Sequence, residues 1–257
     1  MNKQKFQILV SSVNYNYNTE YYKTINYLII NQILDNSDIK NKENIYSYKD
    51  KGLSKSRNIA ISKSSSEICL ISDDDVRFKD DIEIIITEAF KNNPKVDIIT
   101  FQIQTPNKQP YKSYKVNSFY HTKKTIMGVS SIEIAFRRKE IINNKIQFDE
   151  NFGLGTKYPT GEEIIFLSDA LNKGLKILYI PIPIVIHPIE SSGKNYDNDK
   201  LIMAKGAMFY RLFGFFGYPI SVLFTLKKAT YSLKYNYIEF VKLMFHGILN
   251  YKDNKNA

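Results

Sequence analysis

Three consecutive aspartates, Asp73, Asp74 and Asp75, directly follow an apolar run over residues 67–72 that predicts a buried strand. Carboxylates this close raise one another's proton affinity unless they are solvated or bound to a cation. Oxygen ligands with no cysteine nearby suit Mg²⁺ or Mn²⁺. The triplet therefore indicates a divalent-metal site, and the alternative is a solvated acidic turn that leads into the next helix.

A second acidic pair, Glu162 and Glu163, follows Gly161 at the start of an amphipathic pattern that predicts a helix over residues 161–173. One of these glutamates is a candidate general base, because a carboxylate can take a proton from an attacking hydroxyl. The alternative is that both carboxylates only stabilise the positive N-terminus of the helix.

Four more polar residues are candidates for binding. His187 follows an extended apolar segment over residues 175–186; a lone histidine is more often structural than a ligand, but a neutral imidazole suits Mn²⁺ better than Mg²⁺. Arg57 and Asn58 lie in the first turn of a predicted short helix, where the guanidinium could reach a phosphate or pair with the aspartates. Asp50 leads into a glycine turn and is a candidate to line a nucleotide pocket.

The spacing of apolar residues predicts the elements that position these side chains. It predicts further strands over residues 6–13, 45–48, 96–103 and 132–136, and further helices over residues 19–34, 54–61 and 80–92. Strands that alternate with helices in this way favour a mainly parallel α/β sheet. Ligands of such sheets collect at the carboxyl ends of the strands, where the aspartate triplet is expected.

Composition limits the class of protein. The chain has 257 residues, of which 43% are apolar and 24% charged, so it can bury a full core and is not disordered. The single cysteine, Cys69, excludes an intramolecular disulfide or a cysteine-rich metal site and favours a reducing, cytosolic compartment. Neither a GxGxxG motif nor a GxxxxGK[ST] phosphate loop occurs. No secretory signal is recognisable, and the apolar stretch 212–226 is shorter than the ~20 residues that span a bilayer.

The C-terminal part of the chain is basic and aromatic. The net charge is +10, and residues 194–257 carry ten Lys or Arg against four Asp or Glu, a net +6. We expect a catalytic domain over residues 1–198 and a helical tail over residues 199–257. The tail either packs on the domain or docks at an anionic membrane surface through its lysines and its phenylalanines. The candidate membrane-facing residues are Phe213, Phe215, Phe216 and Phe224.

A series of motifs in this order resembles the family 2 glycosyltransferases of the GT-A fold: KGLSKSRNIAI, LISDDDV, GEE and PIPIVIHP. The resemblance covers roughly residues 5–193 and lies in the series rather than in any single motif. It implies a GT-A (Rossmann-like) α/β fold with a mixed, mainly parallel sheet flanked by helices.

The resemblance also implies roles for the candidate residues. Asp73 contacts the nucleotide with Asp74 beside it, and Asp75 binds the metal, Mn²⁺ or Mg²⁺, whose ligand shell His187 can join. The second member of the acidic pair, Glu163, is the base. Members of the family commonly have Glu-Asp there, so Glu162 is the competing choice.

The function expected from this resemblance is metal-dependent, inverting transfer of a sugar from a nucleotide-sugar donor to a saccharide or lipid-linked acceptor. Bacterial surface polysaccharide synthesis at the cytoplasmic face of the cell membrane is the implied setting, with a peripheral membrane contact and no nucleic-acid partner. Two alternatives are a metal-dependent nucleotidyltransferase, although its usual N-terminal glycine-rich phosphate loop is missing, and a non-catalytic module that binds anionic surfaces. The segment SSVNYN replaces the family's proline-containing turn, so the nucleotide cannot be read from the sequence.

Overall fold

A computed structural model describes residues 5–22, 24–188 and 195–256, with side chains through residue 253. The strands are β1 (Phe6–Val13), β2 (Tyr27–Gln32), β3 (Ile45–Tyr48), β4 (Ile68–Asp73), β5 (Arg77–Phe78), β6 (Ile98–Gln104), β7 (Phe119–Tyr120), β8 (Ile134–Arg137) and β9 (Ile177–Ile186). The α-helices are α1 (Leu53–Lys63), α2 (Ile82–Asn92), α3 (Arg138–Asn143), α4 (Glu162–Asn172), α5 (Asp199–Phe213), α6 (Gly217–Lys228) and α7 (Tyr237–Asn256).

The described strands form one sheet in the order β3-β2-β1-β4-β8-β6-β9-β5, with β7 paired to β9. The four strands β3, β2, β1 and β4 are parallel, whereas β8 is antiparallel to both β4 and β6. The chain order runs outward from β1 to β2 and β3 on one side and continues with β4 on the other. This reversal creates a topological switch point at the carboxyl ends of β1 and β4, which is where open α/β sheets bind ligands.

One element differs from its prediction. Residues 19–34 are not a helix: a 3-10 turn covers Thr19–Tyr22, and Tyr27–Gln32 is strand β2, parallel to both β1 and β3. Periodicity cannot separate a strand buried on both faces from a buried helix, because both are nearly continuous apolar runs. The buried amide of Asn31 fits this strand because it donates to the Ser47 hydroxyl of β3 at 3.2 Å.

The remaining predicted elements are present within a few residues of their predicted bounds. The apolar residues of β1 and β4 are buried on both faces of the sheet, as expected of central parallel strands. The stretch between β6 and the next long strand, β9, contains β7, two 3-10 turns, β8 and the helices α3 and α4. The prediction of a mixed α/β sheet flanked by helices, with a helical C-terminal region, is confirmed.

The chain divides into two compact units, which are described separately. The first comprises residues 1–51, 55–148 and 166–189 and contains the sheet; the second comprises residues 52–54, 149–165 and 190–257. The predicted boundary at residue 198 stays a prediction.

In the second unit, the helices α5 and α7 pack closely at two glycines. A Cβ on Gly206 would lie 2.0 Å from the carbonyl oxygen of Met244, and a Cβ on Gly247 would lie 1.9 Å from the carbonyl oxygen of Met203.

Helix α6 packs with its small and polar side inward. Its buried residues are Gly217, Ser221 and Thr225. Three of its large apolar residues point outward, together with two phenylalanines of the preceding 3-10 turn: Phe215, Phe216, Val222, Leu223 and Leu226. We call these five side chains the α6 apolar face. A soluble helix normally buries such a stripe, so the orientation of α6 is reversed.

Candidate nucleotide and metal site

Asp74 lies at the switch point, just beyond β4. Because Ser11 of β1 is the register partner of Asp73, the next residues along both strands meet, and the Ser12 hydroxyl donates to Asp74 Oδ2 at 2.6 Å. Burial raises the pKa of Asp74, the hydrogen bond from Ser12 opposes this, and the charges of Asp75 and Asp73 add to it. Asp74 is therefore held inward by Ser12 and contributes to the negative potential of the site.

Asp73 pairs with Arg57. The Arg57 side chain is 1% exposed, its Nη2 lies 3.0 Å from Asp73 Oδ1, and its guanidinium carbon lies 5.4 Å from the Phe148 ring centroid. A buried guanidinium requires a partner for its charge, and Asp73 supplies one. Of the two roles open to Arg57 in the sequence, the structure shows the pairing with the aspartates. This ion pair fixes the Asp73 carboxylate at the carboxyl end of β4.

Asp75 and His187 face each other across the carboxyl ends of β4 and β9. His187 Nε2 lies 3.4 Å from Asp75 Oδ2, and its Nδ1 is 2.6 Å from the Pro188 carbonyl oxygen. The hydrogen bond to Asp75 raises the pKa of His187, and the same bond lowers the pKa of Asp75. The structure thus brings together the two residues that the sequence pairs as candidate metal ligands, although they are 112 positions apart in the printed sequence.

These two residues fit a partial ligand set for a divalent ion. A carboxylate and an imidazole that already converge are donors suited to Mn²⁺. Within the described ranges, no group of three or more His, Cys, Asp or Glu side chains is arranged to hold a metal. An ion held by Asp75 and His187 would therefore take its remaining ligands from water or from a bound molecule.

Tyr22 is a residue of this site that the sequence did not reveal. Its hydroxyl is buried and has no hydrogen-bond partner within the described part of the chain. Burial raises the pKa of Tyr22, and the charges of Asp74, Asp75 and Asp73 raise it further. The phenol therefore stays protonated, and its O–H group is a buried hydrogen-bond donor in the field of the three aspartates.

Asn58 and Asp50 have local partners in the first unit. The Asn58 amide nitrogen donates to the Phe148 carbonyl at 2.9 Å, and its oxygen accepts from the Phe148 N–H at 2.8 Å. Asp50 is exposed and pairs with Lys55, which lowers the pKa of the carboxyl. The pair of bonds at Asn58 fixes the backbone beside the Phe148 ring, and a nucleotide contact by either residue stays a prediction.

Glu162 and Glu163 begin α4 and belong to the second unit. Gly161 precedes them at a φ of +94°, and a Cβ there would lie 2.6 Å from Met208 Sδ, so α5 packs directly against the start of α4. Glu162 is 7% exposed, whereas Glu163 is half-buried. Gly153 makes room for the buried carboxyl, because a Cβ at that position would lie 3.3 Å from Glu162 Cδ. Of the pair, Glu163 is the more accessible carboxylate.

Sequence reasoning found the charged members of the site and missed Ser12 and Tyr22. Ser12 carries a weak signal, since it is a hydroxyl at the end of an apolar strand. Tyr22 carries none, because the residues around it were assigned to a helix. Its position depends on the turn between β1 and β2, which only the assembled sheet reveals.

The fold of this chain is also found in solved structures of other proteins. No protein-family model matches the chain, and no curated protein matches it in sequence. The crystal structure of S. aureus TarS residues 1–349 in complex with UDP-GlcNAc matches at a TM-score of 0.57 and 15% identity, over 89% of this chain and 74% of that one. The complex of the same TarS segment with UDP matches at 0.57 and 16%, over 89% and 73%. This likeness confirms the GT-A fold that the motif series implies.

Proposed function

We propose that the protein is a glycosyltransferase that uses a nucleotide-sugar donor. The observation that carries the proposal is the set of Asp73, Asp75, Arg57 and His187 gathered at the switch point of a GT-A fold. The UDP and UDP-GlcNAc complexes of S. aureus TarS, which has the same fold, support a nucleotide-sugar as the donor class.

On the donor side, each charged residue has a distinct task. Asp73, held in place by Arg57, accepts hydrogen bonds from the nucleotide. Asp75 and His187 would hold a divalent ion, which when bound offsets the negative charge of the departing diphosphate. His187 Nε2 and Asp75 Oδ2 lie 3.4 Å apart, which is close to the spacing of two neighbouring ligands of one ion, so both would bind it with little movement once His187 is neutral.

On the acceptor side, Glu163 is the general base. Its carboxylate takes the proton of the acceptor hydroxyl while the hydroxyl oxygen forms a bond to the anomeric carbon and the bond from that carbon to the diphosphate oxygen breaks. A single displacement of this kind inverts the anomeric configuration. Glu162 is the weaker candidate for the general base, because its side chain is buried and packs against Gly153.

The α6 apolar face supports an acceptor that lies at a membrane. The segment Asp199–Tyr231, 33 residues long, is the one described helical segment long and apolar enough to cross a bilayer by length and composition. Gly214, at φ +58°, divides it, and the polar side of α6 is packed inside the second unit. We therefore propose that α6 lies in the interface of the cytoplasmic leaflet, with the exposed Lys227 toward anionic headgroups, and that the acceptor belongs to surface polysaccharide synthesis.

A panel of sugar nucleotides, including UDP-GlcNAc, tests donor binding by thermal stabilisation of the full chain with Mn²⁺ and with a chelator. We expect stabilisation by at least one donor only when Mn²⁺ is present. Asp75→Asn should abolish the Mn²⁺-dependent part, because one anionic ligand is lost from a site that has few. Asp80→Asn, an exposed aspartate of the same unit, is the matched control and should behave as wild type. Equal donor stabilisation in chelator contradicts the metal dependence.

Glu163→Gln tests the base. We expect retained donor binding and a loss of transfer, or of donor hydrolysis with water as acceptor, on the order of 100-fold. Glu162→Gln is the matched control with a smaller expected loss. If Glu162→Gln alone reduces the rate, the base is Glu162. The products separate the two enzyme classes, since release of a nucleoside diphosphate supports sugar transfer and release of pyrophosphate supports nucleotidyl transfer.

A further inference from the structure

Lys205 is a half-buried lysine of α5 that no role above explains. It lies one helical turn before Met208, the residue that packs against Gly161 at the start of α4. Residues three apart on a helix share a face, so Lys205 lies on the side of α5 that meets the acidic pair. The sequence offers no sign of this, because α5 and the start of α4 come together only through helix packing.

Both negative and positive side chains act on Lys205. Glu163 and Glu162 of α4 favour its ammonium form, whereas Lys228 of α6 opposes it. Burial is the largest effect and lowers the pKa of Lys205, with Glu163 the strongest counterweight. Removal of an ammonium group from water is costly unless an opposite charge compensates, and the acidic pair provides that charge.

The acidic pair needs Lys205 for the same reason. Glu162 and Glu163 are adjacent at the start of α4 and Glu162 is buried, so a cation near the pair compensates charge that water reaches poorly. We infer that Lys205 is a positioning residue whose ammonium group keeps the Glu163 carboxylate ionised and in place to accept the acceptor's proton. Lys205 keeps its own proton throughout, and no bond to it forms or breaks. The inference rests on the proposed function, because it assigns Lys205 to the base of that reaction.

The test uses the full chain with Mn²⁺ and UDP-GlcNAc, with release of UDP to water as the readout. Lys205→Met should lower kcat about 10-fold, change the KM for UDP-GlcNAc less than about twofold, and move the acidic limb of the pH–rate profile to higher pH. Lys205→Arg should restore most of the rate, since it keeps the charge. Lys200→Met, an exposed lysine on the same helix, is the matched control and should leave all three quantities unchanged.

A double-mutant cycle separates positioning from a merely structural role. In a Glu163→Gln background, Lys205→Met should lower the remaining rate less than about twofold, because the charge it would stabilise is already gone. An unshifted pH profile, an equal loss in that background, or failure of Lys205→Arg to restore the rate overturns the inference. If Lys205→Met does not fold by thermal melting, Lys205→Gln replaces it. A wild-type chain that releases no nucleoside diphosphate from any sugar nucleotide of the panel overturns the proposed function, whereas an active wild type matched by Lys205→Met overturns only the inference.

Discussion

β4 and α6 are both rich in apolar residues, but β4 buries its apolar side chains whereas α6 buries its small and polar ones. β4 buries all its apolar residues and leaves only its terminal Asp73 half exposed. α6 does the reverse: the Ser221 hydroxyl is buried with no partner within the described part of the chain, while Leu223 is 66% exposed. Apolar composition therefore predicts burial in the sheet, where neighbours cover both faces, but not in α6.

The difference separates the two tasks of these regions. In the sheet, burial of apolar residues fixes the strand ends, and the charged residues of the site extend from those ends. In α6, small inward residues allow a close approach to the other helices and leave large side chains exposed, as the proposed membrane contact requires. Each of the following variants challenges this comparison, from the largest expected effect on stability to the smallest.

Gly206→Ala tests whether the C-terminal helices depend on close backbone contact. The added Cβ would lie 2.0 Å from the Met244 carbonyl oxygen and 2.7 Å from its carbonyl carbon, so α5 and α7 must move apart. We expect the free energy of unfolding to fall by more than about 3 kcal/mol, measured by urea denaturation. Gly128→Ala is the control, since nothing lies within 4 Å of its added Cβ. Equal stability of the two variants would show that the helices do not pack this closely.

His121→Gln tests the buried polar groups of the sheet. His121 is 7% exposed, and its Nε2 lies 2.7 Å from the Thr100 hydroxyl. Burial, with a smaller contribution from Lys112, lowers the pKa of His121 from 6.5 to about 4. Between these values the unfolded chain binds the proton and the folded chain does not, so wild-type stability falls with falling pH, by up to about 3 kcal/mol.

Urea unfolding at neutral and acidic pH measures this loss. We expect His121→Gln to lose less stability than wild type over the same pH range, because its side chain cannot titrate. His246→Gln, an exposed histidine of α7, should retain the wild-type dependence. An identical acid loss in His121→Gln would assign the dependence to other groups.

The sequence predicted the alternating fold, because apolar runs that end at turn residues are local signals. The family resemblance gave Asp75 and His187 as ligands of one metal; the structure brings them to 3.4 Å, and their role as ligands stays a prediction. Tyr27–Gln32 was misassigned to a helix. The apolar residues of a strand that is buried on both faces show no periodicity that distinguishes the strand from a buried helix. The sequence also predicted Phe213 and Phe224 on the membrane-facing side, but both are half-buried, and Phe224 packs 5.4 Å from Phe209 between ring centroids. Which face of α6 is exposed depends on the side on which the neighbouring helices pack. No local sequence pattern indicates that side.

The double variant Leu223→Ser with Leu226→Ser tests that outward face directly. Both side chains are more than 60% exposed, so their loss should change the free energy of unfolding by less than about 0.5 kcal/mol. Recovery on vesicles that contain phosphatidylglycerol should nevertheless fall, because the apolar area available for insertion decreases. The control is Ile84→Ser, which removes a side chain of 67% exposure from α2 and should leave vesicle recovery unchanged.

Salt separates the two components of this binding. At 1 M salt the Debye length is ~3 Å, so attraction between the lysines and the headgroups is screened while inserted side chains still hold. Wild type should therefore remain partly bound at high salt, and the double variant should be released. A large loss of stability in the double variant would show instead that α6 is covered within the protein. Unchanged vesicle recovery would reject the insertion of α6, since its two most exposed leucines would then contribute nothing to binding.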